Sequence, residues 1–212
     1  MADQADDHSE AGAEAEAGSR AAGTARAALG SRWGKALLAA LAVVVLGMAV
    51  ASVPLFVNPD VDEPRAVDAV VVLAGGGNRE DPAVSLVERG YADVVVFSDP
   101  GRGSLPFTAN QYCNSRNALR VPEGVEQICF DPDPGTTQGE VRAIAALAEE
   151  RDWTGVMMVA STDQVTRARR LLERCWDGDI VMIGVDHDQS LPIRIAYEWG
   201  ATLKSYTVNR GC

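Results

Sequence analysis

The sequence is short of histidine, of closely spaced cysteines and of basic charge. Only His8 and His187 occur among the 212 residues, so no multi-histidine metal site can be assembled, and no Cys-x-x-Cys pair offers a zinc knuckle. No metal is expected. Lys and Arg number 19 against 30 Asp and Glu, a net charge of −11. Affinity for a polyphosphate rests on cations that neutralise phosphates and release counterions, so nucleic acid is set aside as a partner. A Gly-Lys-Ser/Thr phosphate loop is also missing.

What is present divides into three parts. Met1 to about Arg32 is rich in Ala, Gly, Asp, Glu and Ser and has no aromatic residue, so it buries too little apolar surface to offset chain entropy. Residues 1–35 are read as a disordered cytoplasmic tail. Residues 36–57, ALLAALAVVVLGMAVASVPLFV, carry no charged side chain and as a helix span roughly 30 Å, the thickness of a bilayer core. This is a transmembrane helix by composition. Arg20, Arg26, Arg32 and Lys35 precede it and Asp60, Asp62 and Glu63 follow, so the positive-inside bias puts the N-terminus in the cytoplasm of a single-pass protein of the cell membrane. Ala49-Val50-Ala51 also matches a signal-peptidase pattern; the long leader and the apolar residues through Val57 favour an uncleaved anchor. Residues 58–66 read as a linker and 67–212 as the extracytoplasmic domain. After Val57 there are 15 basic and 24 acidic residues, so this domain holds −9 of the −11. An anionic ligand there needs a local positive pocket.

All four cysteines lie beyond the span, as an oxidising compartment would suggest. Three pairings are open, and Cys113 with Cys129 and Cys175 with Cys212 are preferred.

Short runs of β-branched residues alternate with helical patterns. Strands are expected at Asp68–Leu73, Asp93–Phe97, Gln127–Phe130, Val156–Ala160 and Asp179–Gly184, and helices at Asp81–Arg89, Thr136 or Thr137 to about Arg151, Thr162–Cys175 and Pro192 to about Tyr206. Ser98–Glu126 is expected to be largely irregular. Strands continuously apolar and separated by helices predict an α/β, Rossmann-like three-layer sandwich with a mainly parallel sheet, preceded by the single transmembrane helix. Ligands of such sheets sit at the carboxyl ends of the strands, where helices begin.

That rule selects the candidates. Gly75, Gly76 and Gly77 follow the first strand and can turn the chain and bring N–H groups to an anion, although Glu80 stands where a dinucleotide fingerprint needs a third glycine. Arg79 follows that loop and is either an anion ligand or a partner of Glu80 or Asp81. Ser98 ends the second strand. Thr137 and Glu140 open a later helix, where capping alone is the competing explanation. Ser161 and Gln164 follow the fourth strand, with Arg167 one turn into its helix. His187, between Asp186 and Asp188, reads as a hydrated loop.

The combination DAVVVLAGGG with Arg79, then TTQGE, then ASTDQVTRARRL behind an N-terminal anchor resembles the ElyC/SanA/YdcF family over about Asp68 to Gly184. The resemblance places Gly75, Gly76, Gly77 and Arg79 in the family's glycine loop, Ser98 after its second strand, Thr137 and Glu140 in its Asn-Thr-x-Glu-Asn segment, and Ser161 and Arg167 in its Thr-Ser-x-x-His-x-x-Arg-Ala motif. Gln164 stands where the family has histidine, which removes a general base, and the acidic residue of the third motif is displaced by one position. The resemblance implies a role in cell-wall biogenesis or barrier function. The expected ligand is an anionic small molecule or lipid-linked precursor, such as a polyprenyl phosphate, with no cofactor. Rival readings are an enzyme of phosphoryl or glycosyl chemistry with Glu140 as acid or base, and a scaffold for envelope-synthesis proteins.

Overall fold

The computed structural model describes residues 32–100, 112–113, 121–186, 190–208 and 211–212. The expectations for the tail, for most of Ser98–Glu126 and for His187 fall outside these residues. The described residues divide into two units, one ending at Ala51 and the other running from Ser52 to Cys212.

Helix α1, Arg32–Ser52, holds no acidic residue and exposes Leu37, Leu41, Val43, Leu46 and Val50. It continues into a π-helical turn at Val53–Val57, where Pro54 lacks the N–H that an α-helix would use. The helical stretch Arg32–Val57 has 26 residues, and its most apolar 18-residue window has mean hydropathy 2.7. At about 1.5 Å per residue it is long enough to cross a membrane.

The second unit is built on a five-stranded parallel sheet of order β3-β2-β1-β4-β5. The strands are β1 (Ala69–Val72), β2 (Val94–Ser98), β3 (Glu126–Phe130), β4 (Gly155–Ser161) and β5 (Asp179–Val185). Helices α2 (Glu80–Glu88), α3 (Thr137–Glu150), α4 (Val165–Leu172) and α5 (Leu191–Thr207) complete it. β1 and β4 are buried along their whole length, because helices cover both faces and every residue meets apolar neighbours. On one face Val71, Val96, Met158 and Met182 pack with Val141 and Ile144 of α3 and Leu172 of α4. On the other, Val70, Val72, Val95 and Met157 pack with Val84 and Val87 of α2. The three-layer α/β sandwich expected from the sequence is the observed fold.

The segment read as a linker is docked along β5. Asp62 donates its N–H to Met182 O at 2.9 Å and accepts from Met182 N at 2.7 Å and Arg169 Nη2 at 2.8 Å. Arg65 pairs with Asp179 at 2.6 Å. These contacts occupy an edge that would otherwise present unpaired backbone groups. The cysteines pair as Cys113–Cys129 and Cys175–Cys212, with Cα atoms 5.8 and 4.8 Å apart.

Candidate functional site

The strand order reverses direction between β1 and β4, so the loops leaving these neighbours run to opposite faces and leave a crevice at the strand ends. A cavity of about 210 Å³ lies at this end of the sheet. Its walls come from the loop after β1 (Ala74, Gly75), Pro100, the turn and start of α3 (Pro132, Gly135, Thr136, Thr137, Glu140), Gln164 after β4, and Tyr197 of α5.

Each wall has a local cause. Gly75 has φ +150°, and a Cβ there would lie 2.3 Å from Arg79 Nη2, so glycine is required because the guanidinium packs against the loop. Arg79 is 2% exposed. It donates to Leu73 O at 3.0 Å, Ala74 O at 2.9 Å, Gly76 O at 3.2 Å and Ser161 Oγ at 2.5 Å. Burial pulls its pKa down, against the field of Glu140, Glu80, Asp163 and Glu198. Arg79 therefore holds the glycine loop and the end of β4 together from behind the cavity.

Thr136 caps α3, its hydroxyl accepting from Gly139 N at 3.3 Å. A capping box would place the reciprocating acid at Gly139, one residue before Glu140. Glu140, freed from that role, reaches across the crevice and accepts from Ala74 N at 2.6 Å. Only 4% of it is exposed, and burial drives its carboxyl pKa upward against the Ala74 N–H, the Ser98 hydroxyl, Arg79 and Arg167. The hydroxyl of Ser98, a fully buried residue, has no hydrogen-bond partner of normal geometry among the described residues.

Arg167 is not open to the cavity. Its Nε and Nη2 bond the two carboxylate oxygens of Glu198 at 2.8 Å each, and Glu198 is wholly buried. Burial lowers the Arg167 pKa, but Glu198 outweighs it and the net direction is upward. Asp163 pairs likewise with Arg194 at 2.9 Å. Asp163 and Arg167 share one face one helical turn apart, as do Arg194 and Glu198, so two opposite-charge pairs fasten α5 to the start of α4.

Of the residues selected from sequence, the structure brings Gly75, Thr137, Glu140 and Gln164 to the cavity wall. Gly76 and Gly77 lie in the same loop off that wall, while Arg79, Ser98, Ser161 and Arg167 are buried behind it. Sequence reasoning missed Arg194, Tyr197 and Glu198, and the pairing of Asp163 with Arg194. The complementary spacing of Asp163/Arg167 and Arg194/Glu198 was the signal available. The chain matches no protein-family model and no curated protein sequence.

Proposed function

We propose that this is a membrane-anchored cell-envelope protein whose crevice binds an anionic ligand of the kind the ElyC/SanA/YdcF resemblance suggests, a polyprenyl phosphate or peptidoglycan precursor. The extracytoplasmic placement of the second unit rests on the charge flanking the apolar helix and on the disulfides. The observation that carries the ligand reading is the buried Glu140 carboxyl on the crevice wall, beside the start of α3. Arg79, Arg167 and Arg194 face Glu80, Glu140, Asp163 and Glu198 in one electrostatically coupled group. With all four carboxyls ionised this group is net negative and repels an anion. With Glu140 protonated it is neutral, and the carboxyl becomes a hydrogen-bond donor beside the partial positive charge at the start of α3.

Isothermal titration of the full chain in detergent with farnesyl phosphate, a short polyprenyl phosphate, tests this. Glu140→Gln, which keeps a neutral donor, is expected to bind at least as tightly as wild type, and Glu140→Ala about tenfold more weakly, as for one hydrogen bond to a charged group. Absence of binding in wild type and Glu140→Gln alike overturns the reading. A second reading, general-acid catalysis by Glu140, is favoured by the same upward-driven pKa at a cavity wall. Its mark is turnover of a bound precursor that Glu140→Gln abolishes while binding persists.

A further inference from the structure

Beyond Val57, every large apolar side chain that the described residues expose lies on α5 or at its end, Val61 excepted. Single exposed apolar residues are ordinary on a protein surface, but a group confined to one helix marks a surface that something covers. Along α5 the exposed positions Ile193, Ala196, Tyr197, Gly200, Leu203 and Thr207 recur at three- and four-residue spacing and form one stripe, with Lys204 its only charge. The one carboxylate of α5, Glu198, is wholly buried. A stripe without an acid stands out in a domain of net charge −9.

The place of α5 in the fold says what covers the stripe. Asn58 and then Asp60 follow Val57, so the π-helical turn lies where the apolar stretch leaves the hydrocarbon core of a membrane. α5 packs on that turn: Phe56 stacks edge-on against Trp199 at 5.4 Å, and Ser52 Oγ accepts from Trp199 Nε1 at 2.9 Å. Leu55 O accepts from Thr166 Oγ1 at 3.0 Å, which ties the turn to α4 as well. Tyr197, Trp199 and Tyr206 are of the residue types that concentrate at a membrane–water boundary. A helix held at that boundary, with an apolar stripe and a lysine beside it, has the composition of one lying in the interface plane. A second copy is the rival occupant, but two domains of charge −9 repel each other, whereas the bilayer is already within reach through the anchor.

We propose that α5 is an interfacial helix whose exposed stripe lies against the bilayer leaflet at which the apolar helix ends, with Lys204 among the lipid phosphates. The proposal rests on the membrane-anchoring reading and is independent of what the crevice at the strand ends binds. Tyr197 also lines that crevice, so docking brings this wall beside the headgroups.

Fluorescence quenching by lipid tests it. The native cysteines are paired, so a thiol introduced by Ile193→Cys, Leu203→Cys, Leu41→Cys or Ser85→Cys takes a fluorescent label alone. Leu41 lies within the apolar helix, and Ser85 is exposed on α2, across the sheet from α4. Each full-length variant is reconstituted into phosphatidylethanolamine and phosphatidylglycerol vesicles containing a phospholipid with a nitroxide just below its headgroup. An interfacial helix sinks its apolar face about 5–10 Å into the headgroup boundary, so quenching at Ile193 and Leu203 is expected to reach about half that at Leu41 or more, and quenching at Ser85 about a tenth or less. Leu203→Glu, at an exposed position, should lower quenching at Ile193 about threefold or more and leave Leu41 unchanged. Quenching at Ile193 and Leu203 no greater than at Ser85, or quenching at Ile193 that Leu203→Glu does not change, would overturn the proposal. Labels shielded from water yet unquenched by the nitroxide lipid would assign the stripe to a second copy and overturn it too. Absence of quenching at Leu41 would overturn the anchoring reading and this surface with it.

Discussion

Replacing Glu198 by Gln removes one buried charge while keeping the side-chain shape, and so isolates what holds α5 over the crevice. Glu198 is fully buried and Arg167 nearly so, and the two share two bonds of 2.8 Å. Breaking a buried pair from one side strands the other charge away from water, which costs about 3–5 kcal/mol. The carboxamide oxygen still accepts one bond, so the lower end of that range is expected. Against a total stability of roughly 5–15 kcal/mol this is a large fraction, equivalent to a fall in Tm of roughly 6–12 °C. Thermal and urea unfolding of the full chain in detergent, followed by circular dichroism, measures it. Arg167→Met with Glu198→Leu removes both charges and is expected to recover most of the loss. A loss below about 1 kcal/mol for Glu198→Gln, or a double variant as unstable as the single one, would refute the claim that this pair is desolvated and coupled.

Other expectations follow from individual contacts. Gly75→Ala forces a Cβ to 2.3 Å from Arg79 Nη2 at a φ of +150°, and is expected to cost about 1–3 kcal/mol in urea unfolding. Asp68 accepts from Thr154 N, Thr154 Oγ1 and Gly155 N; partial burial works to raise its pKa, but these bonds prevail and hold it below the usual carboxylate value. Its stabilisation is therefore full above the unfolded pKa of about 3.9 and is lost as pH falls through the lower folded value, so Asp68→Asn should flatten the acid limb of a stability-versus-pH curve. Glu140 has the opposite sign: with its folded pKa raised, its contribution is full below the unfolded value of about 4.3 and is lost as pH rises, so Glu140→Gln should gain stability over wild type as pH is raised from 4 to 8. Opening the Cys113–Cys129 loop, whose cysteines are 16 residues apart, with Cys113→Ser and Cys129→Ser should cost about 3 kcal/mol in the same assay.

The sheet was legible because its central strands β1, β2 and β4 are mostly continuous apolar runs between turn residues. The expected Asp68–Leu73 and the observed Ala69–Val72 differ only at the ends, and the expected helix Asp81–Arg89 is α2, with Gly90 at φ +76° just after it. The glycine loop and Glu140 were legible from their place after strands. The direction of the arginines was not. A sequence shows that Arg79 and Arg167 stand beside the crevice, but whether a guanidinium faces solvent or turns inward depends on acceptors brought from elsewhere: the carbonyls of residues 73, 74 and 76 for Arg79, and Glu198 for Arg167. The docking of Asp62 on β5 was also hidden, because a short polar segment after an apolar helix carries no mark of the edge it covers.

The central claim is that the crevice receives an anion beside a neutral Glu140. Infrared difference spectroscopy of the farnesyl phosphate complex at neutral pH tests it directly, with Glu140→Gln as the reference. A protonated-carboxyl C=O band present in the wild-type complex and absent from the variant is the predicted result. A carboxylate signature for Glu140 in the bound state would contradict the account.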